Sequence, residues 1–449
     1  MSVAGNPNHV RKSGSWYPLC IILLCVRLVI LGASPLRTAS NGLKIVFANL
    51  VELKNYNAPS CTTIKRWVQK VGYYKLRLPK VIADDWMVII DASIQMGEKK
   101  CLLIVGCRQS NFPLNRALTL EDLEVLSLHI VSSLNANIIT QVLNEVASAI
   151  GRIICVCSDR GSEMLRGIKD FQISHPQMRQ ISDTAHRVAN LLEATLEHSI
   201  RWKGFREQVT QARRRMQNSL LPGLLPPSPR TKARYMNVDS LITWAAEMLL
   251  LIDSPCSLPE LEMGELKKYL GWLLNYREDV EYWNRIISIG KVARDLIRIE
   301  GIHVNIADFF ERSISSIKMG LQELQFADEI VLFLLKQSKG VKLGERFLGS
   351  SEVLESLFGK IKYMEHEQTA FGFTSLVLGA LAHVGSSDDE TITKAITSIK
   401  LSNVDEWSVK EIGRSVQSQR KQMKKVIASL KTKMGQEFAG AFEGEAVNF

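Results

Sequence analysis

The clearest pattern of apolar and polar positions lies between Asp84 and Arg108. Met87 to Ile90 is a short apolar, β-branched run that ends on a carboxylate, Asp91; Gln95 to Lys100 is polar with Gly97 inside it; Cys101 to Val105 is apolar again. Two such runs joined by a Gly-bearing connector predict an antiparallel hairpin. Glu124 to Val131 alternates as a third strand does, and Ala136 to Ala149 carries Ile138, Ile139, Val142, Leu143 and Val146 on one helical face. Ile153 to Cys157 is a compact buried strand that runs into Ser158-Asp159-Arg160-Gly161-Ser162-Glu163, and Ile181-Ser182 is a short strand opening a helix.

Helical periodicity dominates on both sides of this region. Tyr17 to Leu31 reads as a buried helix stopped by Gly32 and Pro35, and a second helix follows from Ser34-Pro35 to about Val46. Pro59 to Gly72 reads as a third, capped by Ser60 or Thr62, with Ile64, Trp67, Val68 and Val71 inward and Gly72 as its stop. Lys65, Arg66, Gln69 and Lys70 then fall on the outer side, the layout of a helix-turn-helix DNA reader; a plain helical bundle gives the same pattern. Further on, Leu241 to Ile252, Leu261 to Tyr276, Val280 to Arg298 and Ala307 to Phe326 are helical in pattern, with a break at Leu221 to Pro229. Ser350 or Ser351 caps another helix whose stripe is Leu354, Leu357 and Ile361; Glu355 stands off that stripe, with Lys362 seven residues on and on the same face. Ala370 to Val384 is an apolar helix, and from Val404 onward a helical tail carries many Lys and Arg.

Length and charge adjust this picture. A chain of 449 residues has room for two or three domains, and its net charge of +10 suits a polyanionic partner without specifying one. The eight cysteines contain no Cys-x-x-Cys pair and several sit in apolar runs, as reduced core thiols do, so neither a disulfide framework nor a zinc cluster is expected. Trp16 to Gly32 resembles a secretory signal, but it is short for a membrane span and contains Arg27, so a buried helix in a cytoplasmic protein is the expectation. Arg213, Arg214 and Arg215, then Arg230, Lys232 and Arg234, form basic clusters that either meet phosphates or are a solvated face. Trp202, Trp244, Trp272 and Trp283 lie mostly in apolar helical runs and are read as core.

The candidate chemistry is carboxylate chemistry. Asp91 and Asp159 each close an apolar strand, where an unpaired charge is costly unless a cation or donors meet it. Ile90-Asp91 before a hairpin and Cys157-Ser158-Asp159-Arg160-Gly161-Ser162-Glu163 after a strand resemble the first two acidic motifs of DDE-type DNA transposases, whose catalytic core is ribonuclease H-like. Ile181-Ser182-Asp183-Thr184-Ala185-His186 is similar to the Cys/Asp-x-x-His element of the hAT and Mutator-like branches, with Asp183 where Cys is usual. Glu355-Ser356-Leu357-Phe358-Gly359 looks like the Glu-x-x-Phe-small signature of the hAT branch, with Glu352 one turn earlier as the competing third acid.

The resemblance implies an α/β ribonuclease H-like core, a mixed five-stranded sheet with flanking helices, interrupted by a large all-α insertion and preceded by a helix-turn-helix domain. It divides the chain into a helical DNA-binding part (1–80), the first part of the core (81–190), the helical insertion (191–345), the last part of the core (346–400) and a basic tail (401–449). It further implies that Asp91, Asp159 and Glu355 hold two Mg²⁺ (or Mn²⁺) ions, with His186, Asp183 and Lys362 as accessories. It also implies double-stranded DNA, transposon ends and target, as partner and substrate, and a homodimer or larger synaptic complex of the bacterial insertion-sequence kind. Two other readings stay open: a transposase-derived DNA-binding protein without catalysis, and a ribonuclease H-like nuclease without strand transfer.

Overall fold

The computed structural model describes residues 17–49, 57–96, 99–217, 219, 221–227, 238–254, 260–366, 375–413, 422–424, 426, 427 and 429. Three helices come first, α1 (Leu19–Ile30), α2 (Leu36–Asn49) and α3 (Cys61–Arg77). The α/β region follows with β1 (Ala83–Met96), β2 (Lys99–Arg108), β3 (Glu124–Val131), α4 (Ala136–Ile150), β4 (Gly151–Ser158), α5 (Ser162–Ser174), β5 (Arg179–Ser182) and α6 (Thr184–Leu196). A helical stretch then runs through α7 (Ile200–Met216), α8 (Val238–Asp253), α9 (Glu260–Leu270), α10 (Arg277–Glu300), α11 (Ile306–Ile314) and α12 (Leu321–Ser338). The last described helices are α13 (Glu352–His366), α14 (Leu376–Leu381), α15 (Asp389–Ser398) and α16 (Leu401–Trp407).

Among the described residues the strands form one sheet of order β3-β2-β1-β4-β5. β1 pairs antiparallel with β2, and β2 with β3. β1 pairs parallel with β4, and β4 with β5. A mixed five-stranded sheet with helices on its flanks fits a ribonuclease H-like core. Both faces of β1 are covered: Trp86, Val88 and Ile90 pack with Ile139, Val142 and Phe171 of α4 and α5, while Met87 and Ile89 join the larger core on the other side. Burial on two faces explains why this strand reads as a continuous apolar run and not as an alternation.

The N-terminal helices differ from the expectation in two respects. Gly72 does not stop α3; it lies within the helix, and a Cβ there would stand 1.6 Å from the carbonyl oxygen of Leu378. Glycine is what lets α3 and α14 cross this closely. The face expected to point outward is also largely occupied. Gln69 is buried and donates to Ser375 Oγ at 2.7 Å, Lys70 Nζ donates to the Ile396 carbonyl at 3.2 Å, and Lys65 is half-buried, while Arg66 is exposed. The apolar stripe of α3 accounted for only one of its packed sides. The N-terminal helices and α14 to α16 thus share one core.

In α1, Cys25 and Val26 are fully buried, and Arg27 lies at the surface 3.1 Å from Asp389. Among the described residues no helix is long and apolar enough to cross a membrane. The pattern read as one helix from Ala307 to Phe326 is two, because the chain breaks between Ile314 and Leu321; there the Glu323 carboxylate accepts the Gly320 N–H at 3.1 Å. Trp202 and Trp283 meet edge-on with ring centroids 4.9 Å apart, in the core as expected. After α12, backbone hydrogen bonds between Ile302 and Phe347 (2.8 and 2.9 Å) bring the chain back toward the sheet just before α13.

Candidate active site

The parallel pairing of β1 with β4 aligns Val88 with Val156 and Ile89 with Cys157. Two residues further along each chain come Asp91 and Asp159, so both lie just past the last parallel pair of β1 and β4: Asp159 follows the end of β4, while Asp91 lies inside β1, which bulges after it and continues antiparallel to β2 as far as Met96. Crevices outside such strand ends are where open α/β sheets bind ligands. Asp91 is 7% exposed and its carboxylate accepts the Ala92 N–H at 2.6 Å. Burial, then the Asp159 charge, push its pKa up to about 7; the Ala92 bond and His186 pull against this and Glu355 adds to it. Asp159 is half-buried, and its Oδ1 accepts the Gly161 N–H at 3.1 Å where the chain turns into α5.

The third wall is α13, which packs against β1. Glu355 in its first turn has an exposed side chain, yet its surroundings raise its pKa through desolvation, with Asp183 and Glu352 adding and His186 and Arg294 opposing. Glu352 turns elsewhere. It is half-buried, its carboxylate lies 3.7 Å from Arg298 Nε and 3.4 Å from Ser350 Oγ, and it lines a cavity of about 510 Å³ with Arg298, Lys360 and His383. Both Asp91 and His186 feel the charge of Glu355.

Asp183 and His186 join these walls. Asp183 is fully buried at the N-terminus of α6, where Oδ1 accepts the His186 N–H at 2.8 Å and Oδ2 accepts from Ser351 N and Oγ. Burial pushes its pKa up, but the His186 and Ser351 interactions outweigh that and leave it below the usual carboxylate value. His186 Nδ1 stands 3.4 Å from Asp183 Oδ1, an ion-pair separation without good hydrogen-bond alignment. That carboxylate, against the effect of burial, raises the imidazole to about 9, and Glu355 and Asp159 reinforce it.

Three participants escaped the sequence reading: Ser351 as a partner of Asp183, and Arg294 and Arg298 of α10 as cations beside Glu355 and Glu352. Arg294 and Arg298 are one helical turn apart on the polar side of a helix noted only for its apolar stripe, and that spacing was the available signal. The other candidates stand apart. Arg213 donates to the Pro226 carbonyl, and Arg214 and Arg215 are exposed at the end of α7. Arg230, Lys232, Arg234 and the Lys362 side chain lie outside the described residues, as does most of the basic tail.

The donor chemistry fits a hard divalent cation in part. Asp91 and Asp159 are oxygen donors, and the raised proton affinity of Asp91 marks a buried carboxylate short of positive charge. Among the described residues, however, no three His, Cys, Asp or Glu side chains converge as a group that could hold an ion.

No family model matches the chain, and no curated protein matches it. Among solved structures it is similar to the Drosophila P element transposase strand transfer complex, at 12% identity and a TM-score of 0.39, over 85% of this chain and 95% of that one. A likeness this distant has no bearing on function.

Proposed function

We propose that this chain is a transposase-type enzyme that cleaves the ends of a DNA element and joins them to target DNA, with Asp91, Asp159 and Glu355 as its acidic residues. The observation that carries the reading is the placement of the buried Asp91 beside Asp159 where the parallel pairing of β1 and β4 ends, with the charges of Glu355 and His186 reaching Asp91 from two helices. Asp91 and Asp159 would hold Mg²⁺ or Mn²⁺, and Glu355 would complete the set. When bound, two such ions supply Lewis acidity to the phosphate and activate the attacking oxygen. His186, protonated at neutral pH, offers a fixed positive charge to a phosphate oxygen, and Arg294 and Arg298 add two more at the rim. Helices α7 to α12 act as the insertion that covers double-stranded DNA in the cleft, and a homodimer brings two ends together.

The test is cleavage of DNA carrying the sequences that flank the gene, where terminal inverted repeats are expected. Asp91→Ala, Asp159→Ala and Glu355→Ala should each abolish strand cleavage while leaving DNA binding intact, and Glu352→Ala should retain cleavage. Normal cleavage by the Asp159→Ala protein overturns the assignment. The alternative is a transposase-derived DNA-binding protein without catalysis; a wild-type chain that shifts this DNA without cutting it selects that alternative.

A further inference from the structure

We infer that Asp183 is a positioning residue: its backbone N–H holds the end of β4 next to Asp159, and its carboxylate holds the start of the helix carrying Glu355. The inference rests on the functional reading above and deepens it. A fully buried carboxylate is expensive unless hydrogen bonds satisfy both of its oxygens. Capping α6 needs only one of them, at the His186 N–H, and a serine or threonine does that as well. The second oxygen is spent on Ser351, 168 residues away in sequence, through both its backbone N–H and its hydroxyl.

Three segments meet at this residue, two of them through its carboxylate and the third through its backbone. The Asp183 N–H donates to the Ser158 carbonyl at 2.9 Å, on the last residue of β4 and next to Asp159. The Thr184 N–H donates to the Gly349 carbonyl at 3.0 Å, and Ser351 precedes Glu355 by one helical turn. From the other side the same segment is held by the Ile302–Phe347 backbone pair and by Arg346, which donates to the carbonyls of Ile299 and Glu300. Asp183 is therefore the side chain that joins the start of α13 to the segment bonded to the end of β4, and through that link it acts on where Glu355 stands.

Asp183→Asn keeps the shape and one acceptor but turns an NH₂ toward existing donors; Ser351→Ala removes only the hydroxyl. With the full-length chain, Asp183→Asn should lower kcat for end cleavage by about 10- to 100-fold, the usual range for a partner that orients a ligand, with KM for DNA unchanged within about twofold. The Asp183→Asn/Ser351→Ala double variant should fall no further than Asp183→Asn alone. Hydrogen exchange without DNA or metal should show the amides from Ser351 to Glu355 losing protection by roughly tenfold, while those of β4 keep theirs. Wild-type kcat with unchanged exchange overturns the inference. So does a loss of protection spread evenly over the chain with normal kcat per folded molecule, since that describes a residue serving stability alone. If Asp91→Ala and Asp159→Ala cleave normally, the functional reading fails instead, and the exchange pattern still decides whether Asp183 fixes α13 to the sheet.

Discussion

Asp91 should cost the folded protein stability at neutral and alkaline pH, and replacing it should recover that stability. Its pKa is raised from 3.8 to about 7, first by burial and then by Asp159. The folded chain therefore binds more protons than the unfolded chain between these two values. Stability contributed by this group falls as pH rises from about 4 to 7, and the penalty is fully present above 7. At ~1.4 kcal/mol per pH unit the gap corresponds to about 4 kcal/mol, an upper figure because buried sites relax and admit water. Asp91→Asn keeps the shape and can still accept the Ala92 N–H, but it never ionises. Urea unfolding of both proteins at pH 4 and pH 8 should show Asp91→Asn more stable by about 2–4 kcal/mol at pH 8 and nearly equal at pH 4. Millimolar Mg²⁺ should narrow the difference at pH 8, because a cation relieves the ionised pair only in the wild type. Equal stability at pH 8, or a gain that persists unchanged at pH 4, refutes the reasoning.

Two further outcomes follow from the packing and charges. Gly72→Ala places a Cβ 1.6 Å from the Leu378 carbonyl, so α3 and α14 must separate; a loss of about 3 kcal/mol or more in denaturant unfolding is expected, and a loss within about 0.5 kcal/mol contradicts the close crossing. His186 is raised from 6.5 to about 9, chiefly by Asp183, so its stabilising contribution is full below pH 6.5 and is lost as pH rises through 9. With its side chain 32% exposed, solvent screening reduces this to about 1 kcal/mol. His186→Gln should thus cost about 1 kcal/mol at pH 6 and little at pH 10 by thermal melting; the opposite pH trend excludes an ion pair with Asp183.

Periodicity and turn chemistry made the sheet legible. The runs Met87 to Ile90, Cys101 to Val105, Glu124 to Val131 and Ile153 to Cys157 each fall inside an observed strand, and the helix from Ala136 matches α4. These are elements whose neighbours are close in sequence or whose two buried faces leave a continuous apolar run. What a residue meets across hundreds of positions was not legible. Gly72 looked like a helix stop because no local pattern announces that Leu378 crosses there. Gln69 and Lys70 looked like an outer face because their partners, Ser375 and Ile396, arrive from the end of the chain. Arg66, with no such partner arriving, stays exposed as read.

The site shows the same division in its electrostatics. Asp159 follows the end of its strand as read, but Asp91, read as closing its run, lies inside β1, which bulges after it and continues to Met96; the charge balance around both was not legible. Asp159 and Glu355 raise the proton affinity of Asp91 and His186 lowers it, while Arg294 and Arg298 stand beside Glu352 and Arg294 acts on Glu355 as well. Only Asp183 is fully buried and fully bonded, and its pKa is correspondingly lowered. Asp91 is buried beside Asp159, the His186 charge does not outweigh burial and that repulsion, and its pKa moves the other way. The two carboxylates differ in what meets them: Asp183 is held by His186 and by both donors of Ser351, whereas Asp91 accepts the Ala92 N–H and faces the Asp159 charge. Neutralising Asp91 should therefore relieve the folded protein above pH 7, whereas neutralising Asp183 should cost it hydrogen bonds on a fully buried oxygen.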